Sequence, residues 1–366
     1  APPGLARKPP RRRRRLSGRR RRPAVLLGLV LAAALLAGGG AVLFVRAPYK
    51  GYPGDAAVVE LPPGTTTKSI LATLEREGVV RSRHLAYAAF RLLFQGKSLK
   101  AGEYRFEGPR STAEVLRDLV EGRVVVHRVT IPEGLSAGET FDLVVHEGLA
   151  ARAELDALFG KPGEFEGVPA GAPSLEGFLG PETYLFTRTQ GAREIVGTFV
   201  RSFRRSLPER FEERAMALGR TPLEAVTVAS LVEKETGVAA ERALVSAVYH
   251  NRLKVGMPLQ CDPTVVYALR RKGLWSGALT REGLEIDDPY NTYARGGLPP
   301  GPIASPGAAA LEAAVAPADV PYLYFVAAGD GSGAHRFAVT YEEHRANVAL
   351  FRRARAAREA ASDAAR

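Results

Sequence analysis

With one cysteine and one tryptophan in 366 residues, the chain lacks several common structural devices. Cys261 has no partner for an internal disulfide, so stability has to come from a packed core. Six histidines (His84, His127, His146, His250, His335 and His344) are scattered without metal-ligand spacing, which argues against a zinc or other metal site. No glycine-rich phosphate loop follows a predicted strand, which removes the common nucleotide-binding arrangements. The folded part also lacks any excess of charge. The formal charge of +12 resides in Arg7, Lys8, Arg11 to Arg15 and Arg19 to Arg22, and removing those eleven from the 51 basic residues leaves 40 against 39 acidic ones. That balance argues against a nucleic-acid partner. What remains, 46% apolar and 25% charged, is ordinary globular material long enough for two or three domains.

Directly after the arginines, Ala24 to Val45 runs for 22 residues without a charge and is closed by Arg46. That length spans a bilayer. Arginines on one side only orient the N-terminus to the cytoplasm and the rest of the chain outside. The run is too long for the apolar core of a cleaved signal peptide and has no convincing small-residue cleavage site. The expectation is an uncleaved single-pass anchor in the cytoplasmic (inner) membrane, meeting the lipid bilayer through Ala24 to Val45.

Beyond the span the pattern reads as short α+β units: strand Ala57 to Leu61, a Pro62-Pro63-Gly64 turn, helices Thr66 to Glu77 and Ser82 to Leu93, strand Gly102 to Phe106, and helix Ser111 to Glu121. Leu61-Pro62-Pro63-Gly64 is echoed by Ile131-Pro132-Glu133-Gly134, each before a helix. The echo fits either tandem modules or convergent use of one turn. An irregular island, Leu175 to Phe186, carries Glu176 and Glu182. A long amphipathic stretch follows from Arg193 to Ala217, then a helix ending near Gly237 and another from Ala240 to Lys254. Asp262-Pro263-Thr264 reads as an N-cap with proline at the first helical position. Tyr322 to Ala327 and His335 to Thr340 read as a β-hairpin, with His335 structural, and Arg352 to Arg366 as a solvated helix.

Within the helix through Leu223, Val226 and Val228 lies Leu231-Val232-Glu233-Lys234-Glu235. At about 100° per residue, Glu235 falls between Val228, Leu231 and Val232, Glu233 points away from it, and Lys234 sits beside Thr227 and Ser230 on a more polar side. A carboxyl desolvated against aliphatic neighbours has a raised pKa, as a general acid near neutral pH requires. The competing reading is that both glutamates solvate the helix end at Gly237. From Pro289 to Gly307, proline and glycine forbid regular structure, and a loop of that length in a compact domain is functional or disordered. Tyr290, Asn291, Thr292 and Tyr293 supply the aromatic faces, amide and hydroxyls that suit a sugar, although a tethered surface loop would read the same way.

Several segments together resemble a known family: Ala229 to Thr236, Glu241-Arg242, Asn251-Arg252-Leu253, Gly256-Met257, Leu259-Gln260-Cys261-Asp262-Pro263-Thr264, Tyr290 to Tyr293, Gly297 to Ile303, Tyr322 to Val326 and His335-Arg336-Phe337. They are similar to the YceG-like endolytic murein transglycosylases, also called the MltG family, over about residues 56 to 350. Cys261 stands where that family usually has threonine. The resemblance implies cleavage of peptidoglycan glycan strands between N-acetylmuramic acid and N-acetylglucosamine. It also implies a 1,6-anhydromuramic end, no metal or cofactor, and action beside peptidoglycan synthases to end nascent strands. It places the catalytic acid at Glu235, the second glutamate of Glu-Lys-Glu-Thr, and points to Glu176, Asn251, Arg252, Gln260, Asp262, Tyr290, Asn291, Thr292 and Tyr293 as substrate-binding residues.

The fold expected is α+β: a single N-terminal transmembrane helix, a small LysM-like α+β module, then a mixed helical and β catalytic domain with a C-terminal β-hairpin. The divisions are a basic cytoplasmic tail at 1–23, the transmembrane helix at 24–45, a linker at 46–56, the LysM-like module at 57–127, a second small α+β module or connector at 128–190, the catalytic domain at 191–350 and a charged tail at 351–366. Two other functions compete. One is a hydrolytic muramidase with Glu176 or Asp262 as second carboxylate, the other a peptidoglycan-binding scaffold of the synthesis machinery. A Cys261 nucleophile is disfavoured because no spacing places a base beside it.

Overall fold

The computed structural model of the chain describes residues 21–364, so most of the N-terminal basic run lies outside the described residues. Two compact units separate between Val125 and Val126.

The first unit begins with helix α1 (Arg21–Arg46), whose segment Val25–Arg46 is long and apolar enough to cross a membrane and is not buried by other parts of the protein. There follow β1 (Pro48–Tyr49), β2 (Ala56–Leu61), α2 (Thr67–Arg76), α3 (Arg83–Leu93), β3 (Gly102–Glu107), β4 (Arg110–Ser111) and α4 (Thr112–Glu121). Strands β2 and β3 pair antiparallel with Val59 opposite Tyr104. Their alternate residues Val59, Leu61, Tyr104 and Phe106 enter a core with Leu71, Leu74, Val115, Leu116 and Leu119 from the helices. Thr66, Ser82 and Ser111 each accept a backbone N–H at a helix start, which is why the helices begin one residue after the positions read from sequence.

The second unit runs β5 (His127–Thr130), α5 (Ala137–His146), α6 (Arg152–Phe159), β6 (Thr183–Phe186), α7 (Ala192–Ser206), α8 (Phe211–Ala217), α9 (Pro222–Glu235), α10 (Arg242–Lys254), α11 (Asp262–Arg271), α12 (Arg281–Leu284), α13 (Ala308–Val315), β7 (Tyr324–Ala327), β8 (His335–Ala338) and α14 (Tyr341–Ala364). Strand β5 pairs antiparallel with β6, and β7 with β8. The turns at Gly64 and Gly134 share one local form: a strand end, a glycine at φ 80° or 75°, then a hydroxyl-capped helix.

Three sequence expectations change. The stretch from Arg193 to Ala217 is two helices, because Pro208 cannot continue the ladder and pushes Leu207 to an extended ψ of 133°. Cys261 caps α11, so Asp262 lies in the first turn with Pro263 and is no N-cap. Helix α9 has no polar side: every residue from Ala225 to Val232 is buried. Thr227 and Ser230 satisfy their hydroxyls on the helix's own carbonyls, Leu223 O at 2.8 Å and Thr227 O at 2.7 Å. Around α9 gather Val245 and Tyr249 of α10, Ala268 of α11, Leu311 and Ala314 of α13, and Phe178.

The island Leu175 to Gly180 is buried throughout. Gly180 lies where a Cβ would sit 2.4 Å from the backbone nitrogen of Phe203, and a contact with backbone has no flexible end to yield. Gly180→Ala should therefore force α7 away and cost about 1 to 3 kcal/mol as an overpacked site. Urea unfolding of the two proteins measures this, and an unchanged midpoint would contradict the packing described.

Candidate active site

Helix α9 ends on Glu235, where the last carbonyls of the helix carry partial negative charge. Its carboxyl is half-buried and accepts a hydrogen bond at 2.9 Å from the Tyr249 hydroxyl on α10. Burial raises the Glu235 pKa, hydrogen bonds from Cys261 and Tyr249 pull it back, and the nearby negative charge of Asp262 pushes it up again. The Cys261 thiol is fully enclosed, and burial followed by the Glu235 charge lifts its pKa well above that of a free thiol. Such a thiol stays protonated and is no thiolate nucleophile. Among the described residues, no cluster of three histidine, cysteine, aspartate or glutamate side chains is placed to hold a metal ion.

Glu233 faces elsewhere, as its helix position requires. Its Oε2 accepts from the Gly307 backbone N–H at 3.0 Å, and burial raises its pKa while that N–H and Arg242 lower it. Lys234 reaches the Gly134 carbonyl at 2.9 Å. The turn containing Gly134 is tied to the Pro/Gly-rich loop by two backbone bonds of 2.8 Å, Gly134 N to Ser305 O and Ser305 N to Leu135 O.

That loop is neither disordered nor a surface tether. Tyr290, Asn291 and Thr292 are buried, as are Ile303, Ala304 and Ser305. Asn291 donates to the Leu284 and Ile286 carbonyls at 2.9 and 2.8 Å and accepts from Tyr293 N at 3.0 Å. Thr292 Oγ1 accepts from Cys261 N at 3.0 Å and meets Thr264 Oγ1 at 2.9 Å. Tyr290 stacks under the Arg271 guanidinium. Asn251 donates to Val320 O and Tyr322 O, and Arg252 to Leu323 O and Leu259 O. Asn251, Arg252 and Asn291 are thus committed to backbone carbonyls, and Tyr290 and Thr292 to Arg271, Thr264 and the Cys261 N–H, so that together they hold the site's walls.

Gln260, Asp262 and Tyr293 differ in facing outward. Gln260 is exposed and held at φ 48°, a left-handed conformation costly for a residue with a Cβ. Asp262 is exposed and accepts from the Tyr293 hydroxyl at 2.5 Å. Glu176 is buried, accepts from Ala137 N at 2.9 Å and Tyr267 Oη at 3.2 Å, and is pushed up to about 7 by burial. His335 pairs through Nδ1 with Glu241 at 2.8 Å. Sequence reasoning missed Tyr249 and Tyr267 as partners of the two buried carboxyls. Spacing within one helix carries no signal for a contact made from another.

A model of the YceG-like family matches residues 59–350. The chain belongs to the YceG-like family. An endolytic murein transglycosylase of Bacillus subtilis strain 168 is 28% identical over 302 residues, covering 78% of this chain and 82% of the relative. One from Streptococcus pneumoniae D39 is 30% identical over 319 residues, and the match spans only 57% of that longer protein. The crystal structure of a yceG-like protein from Listeria monocytogenes aligns with a TM-score of 0.53 and 29% identity, covering 80% of this chain and 98% of that one.

In this YceG-like chain the Tyr249 hydroxyl bond favours the ionised form of Glu235. Tyr249→Phe should raise the Glu235 pKa, read by carboxyl-carbon NMR titration of glutamate-labelled protein. A downward shift would show that Tyr249 acts on the neutral form instead.

Proposed function

We infer that the chain is a membrane-anchored endolytic peptidoglycan lytic transglycosylase, with Glu235 as its single acid and base. The observation that carries this is a half-buried carboxyl at the end of a helix whose middle is wholly buried, accepting from the Tyr249 hydroxyl with the enclosed Cys261 thiol nearby, in a chain whose relatives are named endolytic murein transglycosylases. Protonated Glu235 gives its proton to the bridging oxygen between N-acetylmuramic acid and N-acetylglucosamine as the bond breaks. The resulting carboxylate, stabilised by the Tyr249 hydroxyl, then takes the proton from the C6 hydroxyl, which attacks C1 and closes the 1,6-anhydro ring. No water enters. Gln260, Asp262 and Tyr293 are the outward-facing groups that orient the sugars, and Asn251, Arg252, Tyr290, Asn291, Thr292 and Glu176 keep the walls in place.

A hydrolytic muramidase needs a second carboxylate free to activate water. Glu176 is enclosed and bonded to Ala137 and Tyr267, which removes it from that role and leaves the exposed Asp262 as the carboxylate the muramidase reading would need. In this reading α1 anchors the protein in the cytoplasmic membrane, with the basic tail inside and the chain beyond Arg46 outside. Residues 57–127 act as a LysM-like glycan-holding module, 128–190 connect it to the catalytic domain at 191–350, and synthases of the wall are the neighbours whose strands it ends.

Glu235→Gln should reduce release of soluble muropeptides by about 10²- to 10⁴-fold, the range of a lost general acid, whereas Glu233→Gln retains far more activity. Equal loss from both would reject the assignment. Products should be lighter by one water than those of a hydrolase, by mass spectrometry. Because the raised pKa keeps Glu235 protonated to higher pH than an ordinary carboxyl, activity should persist above the usual carboxyl range and fall as pH rises through that raised pKa.

A further inference from the structure

Two cavities open on either side of Arg270. One, of about 280 Å³, touches Lys234 and Asp262, which lie beside Glu235 and Tyr293. The other, of about 310 Å³, has Phe141 and Phe159 as apolar wall, with the buried Glu176, bonded to Tyr267, and the ion-paired Arg152 and Asp156 also lining it. Ser136, Tyr267 and Arg270 line both, so the two adjoin across these side chains.

The cations here differ in what holds them and in which cavities they line. Arg152 is held by Asp142 and Asp156, at 2.5 and 2.8 Å. Arg271 pairs with the buried Asp288 at 2.9 Å and lies over the Tyr290 ring. Arg270 is half exposed and donates through Nη1 to Glu139 Oε1 at 2.5 Å. Among the described residues its other N–H groups make no hydrogen bond. Glu139 also closes the start of α5, accepting from Ser136 N and Oγ at 2.9 Å each, so its charge is shared, and Arg270, the one arginine that lines both cavities, keeps N–H groups for a further acceptor.

A bare glycan strand offers hydroxyls and acetamides. Its carboxylates sit on the peptide stems attached to the muramic acid units. A guanidinium fork matches a carboxylate in plane, and the phenylalanine wall suits the alkyl part of an amino acid. We propose that Arg270 and the cavity lined by Phe141, Phe159 and Tyr267 form a peptide-stem subsite, which selects strands bearing stems for cleavage at Glu235. The inference rests on the glycan-cleaving function above and adds to it a specificity determinant outside the Glu235 helix.

The test is the ratio of kcat/KM on stem-bearing to stem-free glycan strands of equal length. Arg270→Ala should lower that ratio about tenfold, as for loss of a charge-assisted hydrogen bond. Arg270→Lys, which keeps charge but not the fork, should fall between. Glu139→Gln breaks the same ion pair but keeps the guanidinium, and should leave the ratio in place, so a merely structural role for the pair would show in both variants. An unchanged ratio in Arg270→Ala overturns the proposal. Fluorescence anisotropy with the Glu235→Gln protein separates this from the reaction itself. Preferential binding of stem-bearing strands, lost on adding Arg270→Ala, supports the subsite even if the wild type cleaves neither strand, and equal binding of the two strands rejects it.

Discussion

A carboxyl at the C-terminal end of a helix buried on all faces is the constraint around which the second unit is organised. Helix α9 cannot turn Glu235 to open solvent without exposing Leu231 or Val232, both fully enclosed. The helix end adds its own negative partial charge to the cost of ionising that group. The Tyr249 hydroxyl from α10 then offsets part of the penalty, and the neutral Cys261 thiol at the cap of α11 acts in the same direction. Packing of α10 and α11 against α9 is thus what positions the chemistry as well as what forms the core.

The loop from Pro289 to Gly307 obeys a second constraint. Its prolines and glycines preclude a ladder, yet much of it is buried, so its polar groups need partners from elsewhere. Asn291 supplies two donors to carbonyls of the preceding segment, Thr292 bridges to the α11 cap, and Gly307 N–H goes to Glu233. Glu233 therefore has a structural use on one side of α9 while Glu235 is left at the other. The two glutamates share a helix turn and almost nothing else.

This arrangement explains which parts were legible from sequence. Periodicity located α9 and separated Glu233 from Glu235, because a helix fixes directions for residues one turn apart. It erred on Thr227 and Ser230, whose hydroxyls bond within their own helix and so need no polar face. It ran α7 into α8 because the apolar spacing continues past Pro208, and the backbone, not the pattern, ends the helix there. The amides and hydroxyls of Asn291 and Thr292 were of the right type for a sugar, but the same groups serve loop carbonyls equally well. Composition cannot tell these uses apart; only the position of the partner can.

The proposed reaction asks opposite things of one carboxyl: to hold a proton before the bond breaks and to take one afterwards. Burial serves the first demand and donors serve the second, so neither alone gives a working group. A helix end in an apolar core, without Tyr249 and Cys261, would hold its proton and make a poor base. A fully solvated carboxyl would ionise well below neutral pH and make a poor acid. The Cys261 thiol is a weak donor and lies within the same enclosed space, so the stronger stabilisation of the carboxylate comes from the Tyr249 hydroxyl. That residue is itself fully buried and carries a pKa raised by burial, which keeps it protonated and able to donate throughout the cycle.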